Sequence, residues 1–194
     1  MKIFYVHILC LISSSQILLR GVDLAKLIWI TGLSGSGKTT IGRELYIRMK
    51  SKYLNLVFLD GDSFREVLGS DLGHTLADRL ENAKRIHRMC KLLVSQEINV
   101  ICATMSLYQE IHELNRREIK DYVEVFIECT IDELIRRDQK GLYSQALNGE
   151  RDDVVGVNLS YDKPKHCELI IDNSVYGSLE EKIMEILNLI GVKM

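Results

Sequence analysis

A glycine-rich stretch, GLSGSGKTT at residues 32–40, follows a short apolar run and precedes a segment with helical spacing. Residues 32–39 fit the pattern G-x-x-x-x-G-K-[ST], whose glycines let successive backbone N–H groups converge on a phosphate. Lys38 would reach the β- and γ-phosphates of a nucleoside triphosphate, and the Thr39 hydroxyl would bind Mg²⁺. A glycine-rich turn arising by chance is the alternative, and the apolar run before it and the helical spacing after it disfavour that alternative. The predicted phosphate site comprises Gly32, Leu33, Ser34, Gly35, Ser36, Gly37, Lys38, Thr39 and Thr40.

Two carboxylates follow the second apolar run, LNLVFLD. Asp60 closes that run, and Asp62 comes two residues later, where we expect a loop. A carboxylate at the end of a strand beside a phosphate loop can organise Mg²⁺, and a second one can take a proton from an attacking hydroxyl. The open alternative is that Asp62 only caps a helix beginning at Ser63.

Polar residues interrupt the apolar face of the predicted helix 76–95. Ile86, Cys90 and Leu93 mark the apolar face of this helix. On the same face, Asn82 lies four residues before Ile86, and Arg79 lies three residues before Asn82. Polar groups facing the core need partners, and a bound anionic substrate would provide them. A buried ion pair of Arg79 with Asp62 or Glu81 is the structural alternative.

Short apolar runs alternate with amphipathic stretches from residue 26 onward. This alternation predicts βαβ units and a parallel sheet, hence an α/β fold of the P-loop NTPase type with helices on both faces of the sheet. The predicted strands are residues 26–31, 54–60, 97–104, 122–129 and 167–172. The predicted helices are residues 37–50, 76–95, 109–119, 131–137 and 178–190. Because there is one proline and no repeat or linker, we expect a single domain over residues 26–194.

Composition narrows the class of protein. The 194 residues are 46% hydrophobic and 27% charged, with a net charge of -2, which argues against a protein that coats nucleic acid. The five cysteines form no CxxC pair, a pattern of reduced thiols rather than of disulfides or zinc ligands. We therefore expect a cytoplasmic protein.

Residues 1–25 form an N-terminal extension of different character. Residues 3–19 are largely apolar, but a polar cluster at residues 13–16 interrupts them before the roughly 20 residues that a spanning helix needs. No stable membrane association is therefore expected. A signal-peptide core remains an alternative, as does a start site placed too far upstream.

Four stretches together resemble the adenylylsulfate (APS) kinase family: GLSGSGKTT, LDGDSFR, DRLENAKRI and RDQKGLYSQALNGE. They stand in the family's order over residues 27–173. The resemblance implies a P-loop kinase that moves the γ-phosphate of MgATP onto the 3′-hydroxyl of a small nucleotide, converting APS to 3′-phosphoadenylyl sulfate. Its cofactors would be ATP and Mg²⁺. A homodimer is an open alternative, for which the sequence itself offers no separate evidence.

The resemblance also implies roles for individual residues. Asp62 would be the catalytic base, acting with Lys38, and Asp60 would join Thr39 at the metal. Arg137 would lie near the ATP phosphates. The residues implied in acceptor binding are Asp62, Arg65, His74, Arg79, Asn82, Ser106 and Lys140, the last on a mobile lid.

The chain departs from the family where the acceptor's base would bind. Two aromatic residues usually enclose the adenine, and here their places hold His74 and either Val154 or Val155. The family's S-P-Y-R stretch has become SLYQ at residues 106–109. Two alternatives stay open: an APS kinase that tolerates imperfect stacking, or a paralogue with a smaller pyrimidine acceptor, such as the cytidine diphosphoramidate used in capsule decoration.

Two further classes receive less support. A non-catalytic ATP-binding regulator would be signalled by loss of Lys38, Asp60 or Asp62, and all three are present. A kinase acting on nucleic-acid 5′-hydroxyls would need a basic stripe, which the sequence lacks.

Overall fold

The computed structural model describes residues 26–175 and 177–192, so the N-terminal extension at residues 1–25 lies outside the described residues. The strands are Leu27–Thr31 (β1), Leu56–Asp60 (β2), Asn99–Ala103 (β3), Tyr122–Glu128 (β4) and Leu169–Asp172 (β5). The helices are Lys38–Lys50 (α1), Gly61–Leu68 (α2), Leu76–Ser95 (α3), Gln109–Glu118 (α4), Ile131–Arg137 (α5), Leu142–Leu147 (α6) and Leu179–Leu189 (α7). A 3-10 turn, Gln139–Gly141, separates α5 from α6.

The strands form one parallel sheet in the order β2-β3-β1-β4-β5. This confirms the predicted parallel α/β architecture, and each predicted strand is present with slightly shorter ends. β1 lies at the centre, so the loop that follows it emerges at the middle of the carboxyl edge. Ligands bind at this edge in open α/β sheets.

Alternating residues of β1 face opposite layers of helices. Ile28 and Ile30 belong to a core with α1 and α7, while Leu27 and Trp29 belong to a second core with α3 and α4. All the residues of β1 are buried, as expected for a central strand covered on both faces. The helices therefore sandwich the sheet and fix the orientation of the loop after β1.

A third apolar cluster supports the carboxyl edge of the sheet. It joins Leu33 of the glycine-rich loop to Tyr143 of α6 and to Val154. Tyr143 is fully buried, and its hydroxyl donates to the Ser34 carbonyl oxygen at 2.7 Å. Packing from α6 thus supports the glycine-rich loop from outside the sheet.

The segment after β2 differs from its prediction. It is helix α2, and its cap is Asp60, whose carboxylate accepts from the backbone N–H groups of Asp62 at 3.1 Å and Ser63 at 3.2 Å. The expectation that Asp62 lies in a loop was wrong, and so was the alternative that Asp62 caps a helix beginning at Ser63. Asp62 instead occupies the first helical turn, with its side chain free of any capping role. Helix α6 was also missed.

The cysteines behave as expected within the described residues. Cys90, Cys102 and Cys129 are buried free thiols, and Cys167 is a half-buried one. No helix in residues 26–175 and 177–192 is both long and apolar enough to span a bilayer.

Candidate active site

The glycine-rich loop adopts a backbone that glycine permits at two critical positions. Gly32 has a φ of 152°, and a Cβ there would meet the Ile127 carbonyl oxygen and the Ser36 hydroxyl. Gly37 has a φ of 100°, and a Cβ there would come within 2.5 Å of the Asn173 amide nitrogen. Any other residue would displace β4 or the segment after β5 from the loop.

Helix α1 begins directly after this loop, and no side chain of the described residues caps its N-terminus. Its first N–H groups and the positive end of its dipole are therefore available to an anion. Lys38, the first helical residue, is nearly buried, and its ammonium donates to the Leu33 carbonyl oxygen at 2.7 Å. Burial lowers the pKa of the Lys38 ammonium to about 8, although the Asp62 and Asp60 carboxylates act in the opposite direction. A bound polyphosphate would compensate this buried charge.

Thr39 and Asp60 bring two oxygen ligands together. The Thr39 hydroxyl donates to the Asp60 carboxylate at 2.7 Å. Hydroxyl and carboxylate oxygens are the donors that Mg²⁺ prefers, usually with retained waters and substrate phosphates completing its shell. The pair lies at the start of α1, beside the anion site, so these residues fit the metal predicted from the sequence.

Asp62, in the first turn of α2, pairs with Lys140. The Lys140 ammonium lies 3.4 Å from the Asp62 carboxylate, and both side chains are exposed. Lys140 has a φ of 64° on the 3-10 turn after α5. The structure thus brings together two residues 78 positions apart in the sequence.

These residues border one cavity of about 340 Å³ at the carboxyl edge of the sheet. Its walls carry all the residues predicted for the acceptor and part of those predicted for ATP and the metal. The predicted ATP-binding residues that do not border it are Gly32, Leu33, Ser36, Gly37, Thr40 and Arg137. Those on the phosphate and metal side are Ser34, Gly35, Lys38, Thr39 and Asp60. Those on the acceptor side are Asp62, Arg65, His74, Arg79, Asn82, Ser106 and Lys140.

Two arginines anchor the segment that leads into α3. Arg65 donates to the carbonyl oxygens of Leu72, at 2.9 Å, and of Gly73. Arg79 donates to the His74 carbonyl oxygen at 2.9 Å. Both guanidinium groups therefore hold the His74 segment in place while bordering the cavity.

Arg79 also makes an ion pair that differs from the alternative considered for it. Its partner is Asp153, at 3.3 Å, and neither Asp62 nor Glu81. The Asp62 carboxylate is left facing the cavity. Arg79 therefore forms an ion pair, as that alternative expected, but its partner is Asp153.

Asn82 and Ser106 lie deeper in the same wall. The Asn82 side-chain oxygen is buried and has no hydrogen-bond partner among the described residues. An unpaired buried acceptor is costly, so a ligand donor reaching it would gain affinity. Ser106 is buried, and its hydroxyl lies 3.0 Å from that of Thr104, at the end of β3.

The three residues at the positions predicted to enclose the acceptor's base all border the cavity. His74 is exposed, whereas Val154 and Val155 are buried in the third apolar cluster, and all three border the cavity. The structure thus provides one imidazole and an aliphatic surface in this part of the cavity.

Arg137 lies behind the glycine-rich loop. It donates to the carbonyl oxygens of Gly35, at 3.3 Å, and Asn173, at 2.5 Å. Asn173 in turn donates to the Ser36 carbonyl oxygen at 2.6 Å and accepts from the Lys182 ammonium at 2.5 Å. Arg137, Asn173 and Lys182 form a clamp, which we call the rear clamp, that fixes the outer side of the loop.

The sequence analysis missed several residues of the site. Tyr108, Arg151 and Asp153 border the cavity, and Asn173 holds the loop. Tyr108 stands within the SLYQ stretch, where the sequence departs from the family. Arg151 and Asp153 are charged residues just before Val154, a position predicted to face the acceptor's base. These two positions in the sequence were the available signals. No local signal pointed to the Asn173 contact.

Comparisons with known proteins agree with this geometry. A family model described as adenylylsulphate kinase matches residues 24–172. A cytidine diphosphoramidate kinase of Campylobacter jejuni is 49% identical over 81% of this chain and 91% of its own length. An adenylyl-sulfate kinase of Clostridium kluyveri is 37% identical over 87% of this chain and 84% of its own length.

A solved structure extends the agreement to three dimensions. The Mycobacterium tuberculosis APS kinase CysC, in complex with AMPPNP and APS, superposes with a TM-score of 0.78 at 32% identity, covering 86% of this chain and 98% of that one. The phosphate loop at the centre of a parallel sheet and the similarity over most of the chain lead to one conclusion: this protein is an ATP-using phosphotransferase that belongs to the adenylylsulphate kinase family.

Proposed function

We propose that the protein transfers the γ-phosphate of MgATP to the 3′-hydroxyl of a cytidine nucleotide, cytidine diphosphoramidate. The observation that carries this choice is the composition of the base walls, where His74 is exposed and Val154 and Val155 are aliphatic. Stacking of a base on an aromatic side chain contributes roughly 1–3 kcal/mol. Without two aromatic faces, a large purine loses more of this stabilisation than a small pyrimidine does.

The relatives support the same choice. The similarity to the cytidine diphosphoramidate kinase of Campylobacter jejuni, at 49% identity, exceeds that to the adenylyl-sulfate kinase of Clostridium kluyveri, at 37%. APS remains the competing acceptor, because the family and its solved structures are named for it.

The donor half of the reaction follows from the phosphate loop. The N–H groups at the start of α1 and the Lys38 ammonium would hold the β- and γ-phosphates of ATP. Thr39 and Asp60 would hold Mg²⁺, which neutralises charge on those phosphates when bound. The rear clamp keeps the loop in the required shape from its outer side.

The acceptor half depends on Asp62. Its carboxylate takes the proton of the 3′-hydroxyl while that oxygen attacks the γ-phosphorus and the bond to the ADP oxygen breaks. Lys140, 3.4 Å from Asp62, would meet the charge that accumulates on the transferred group. Arg65 and Arg79 would face the acceptor's anionic groups, and Asn82 would accept a hydrogen bond from the acceptor through its unpaired oxygen.

The proposal extends to location and assembly. Because ATP is its donor, we place the protein in the cytoplasm. A homodimer remains a prediction, for which sedimentation of the purified protein is the test.

ADP release by the purified protein with MgATP tests the choice of acceptor, when APS and cytidine diphosphoramidate are supplied in parallel. We expect turnover with the cytidine compound to exceed turnover with APS by about 5- to 150-fold, since the difference in stacking is worth on the order of 1–3 kcal/mol. Strong turnover with APS alone would contradict the proposal and make His74 a sufficient stacking partner for adenine.

A further inference from the structure

Arg79 joins the two sides of the base-binding part of the cavity. On one side its Nε donates to the His74 carbonyl oxygen at 2.9 Å. On the other side its Nη2 donates to the Asp153 carbonyl oxygen at 3.0 Å and to its Oδ2 at 3.3 Å. Arg79 therefore ties Asp153, the residue before Val154, to the His74 segment, and His74, Asp153 and Val154 all border the cavity.

A second arginine fixes the orientation of this carboxylate. Arg151 donates from Nε to Oδ1 of Asp153 at 2.8 Å and from Nη2 to Oδ2 at 2.9 Å. The hydrogen bond from Arg151 is the main cause that holds the pKa of Asp153 below its usual range. The group is thus an ionised carboxylate at neutral pH, and it can only accept hydrogen bonds.

One acceptor position remains on Asp153. A carboxylate has about four lone-pair positions. Among the side-chain donors of the described residues, Arg79 and Arg151 both donate to Oδ2, whereas Arg151 Nε alone donates to Oδ1. Because the side chain is about a quarter exposed, at 23%, and borders the cavity, the free position on Oδ1 is accessible to a ligand N–H group.

The chemistry of the bases then selects a partner. Cytosine carries an amino group at C4, and carboxylates recognise cytosine through this group. Uracil carries a carbonyl oxygen at the same place, which would face a fixed negative charge with no proton between them. A site whose polar group is paired by one base and left unpaired by another discriminates strongly between the two.

We propose that Asp153, oriented by Arg151 and Arg79, determines base specificity by accepting a hydrogen bond from the amino group of the acceptor's cytosine and by rejecting uracil. This inference rests on the proposed function, because it takes a cytidine nucleotide as the acceptor. It adds Asp153 as a specificity-determining residue to the altered base walls, which are His74, Val154 and Val155.

The test compares two acceptors that differ only in this group. The values of kcat/KM for cytidine diphosphoramidate and uridine diphosphoramidate are measured with saturating MgATP. The native protein should prefer the cytidine compound by on the order of 10- to 100-fold. In Asp153→Asn the amide can also donate to the uracil carbonyl, so this ratio should fall toward one.

Control variants separate base recognition from a structural role. Asp153→Glu keeps the carboxylate and should keep a preference for cytidine even where its rates fall. Asp152→Asn changes the neighbouring exposed carboxylate, which does not border the cavity, and should leave the ratio unchanged. The dissociation constant for MgATP, measured in each variant, reports whether the fold is intact.

The outcomes distinguish the inference from the proposed function. If Asp153→Asn lowers kcat/KM for both pyrimidine acceptors equally, Asp153 only supports Arg79 and the inference is wrong. A native protein that uses both compounds equally well overturns it too, although the cytidine compound remains an acceptor. Turnover of APS with neither pyrimidine compound would overturn the proposed function itself, and the cytosine assignment with it.

Discussion

At the residue scale, the account depends on two neighbouring aspartates with different tasks. Asp60 is fully engaged, since it caps α2 and accepts from Thr39. Asp62 is exposed to the cavity, and among the described residues its carboxylate pairs only with the exposed ammonium of Lys140. A group that must take a proton needs this freedom, whereas a group that orders a metal needs fixed partners.

Replacing Asp62 by asparagine should therefore remove catalysis and leave ATP binding intact. General-base catalysis contributes on the order of 10²- to 10⁴-fold to the rate. We expect kcat of Asp62→Asn to fall by about this factor in a coupled ADP assay, while the dissociation constant for MgATP stays within about twofold. Asp152→Asn is the matched control, and near-native transfer by Asp62→Asn would show that another group takes the proton.

The depressed pKa of Lys38 leads to a pH dependence. In the free enzyme this pKa is about 8 instead of the usual 10.5, so the ammonium loses its proton progressively above pH 8. Because the charged form binds phosphates, kcat/KM for MgATP should fall about tenfold between pH 7 and pH 9. Lys38→Arg stays charged over this range and should bind MgATP with an affinity that is weaker but independent of pH. A flat native profile would contradict the assigned pKa.

The same shift affects the stability of the unliganded protein. Between pH 8 and pH 10.5 the unfolded chain binds more protons at this position than the folded chain does. The free energy of unfolding therefore increases as pH rises from 8 to 10.5. Below pH 8 the folded protein bears the full cost of burying a charged Lys38, and loss of the proton relieves that cost. Bound ATP should suppress this increase.

At the scale of elements, the phosphate loop is held from two sides by helices outside the sheet. Tyr143 of α6 contacts the Ser34 carbonyl oxygen, and the rear clamp contacts the Gly35 and Ser36 carbonyl oxygens. These contacts engage carbonyl oxygens of the loop and none of its N–H groups. The loop's shape thus depends on α5, α6 and α7 as well as on its own glycines.

Removal of the central residue of the rear clamp tests this dependence. Asn173→Ala leaves the ammonium of the nearly buried Lys182 without its side-chain acceptor and frees the Ser36 carbonyl oxygen. We expect KM for MgATP to rise about tenfold and the free energy of unfolding to fall by about 1–3 kcal/mol. Asn188→Ala, at an exposed position of α7, is the control that should change neither. An unchanged KM in Asn173→Ala would mean that the loop keeps its shape without the Asn173 side chain.

Elements with strong local patterns were predictable from the sequence, and those without were not. Helix α3 agrees with its prediction at both ends because its apolar spacing is long and regular. Helix α2 was missed because it is short and because its cap, Asp60, also has the position of a metal ligand. The pairing of Arg79 with Asp153 was missed because 74 positions separate the two residues and no local pattern links them.

At the scale of the whole molecule, the proposed sites for the two substrates lie side by side along the carboxyl edge of one sheet. The central strand β1 leads into the phosphate loop, and β2 ends at Asp60 on the metal side. The segments after β2 and β3 place Asp62 and Ser106 on the acceptor side. With Asp62 as the proposed base, the reacting hydroxyl would enter between α2 and the turn that carries Lys140. The cavity volume of about 340 Å³ lies in the range of small-molecule sites and fits the proposed small nucleotide acceptor.

The most direct measurement is identification of the product formed from MgATP and cytidine diphosphoramidate, with the 3′-deoxy form of the same nucleotide as the parallel acceptor. The account predicts one added phosphate on the 3′-oxygen of the cytidine compound and no transfer to the 3′-deoxy form. Phosphorylation of the 3′-deoxy compound, or of another position in the nucleotide, would contradict it.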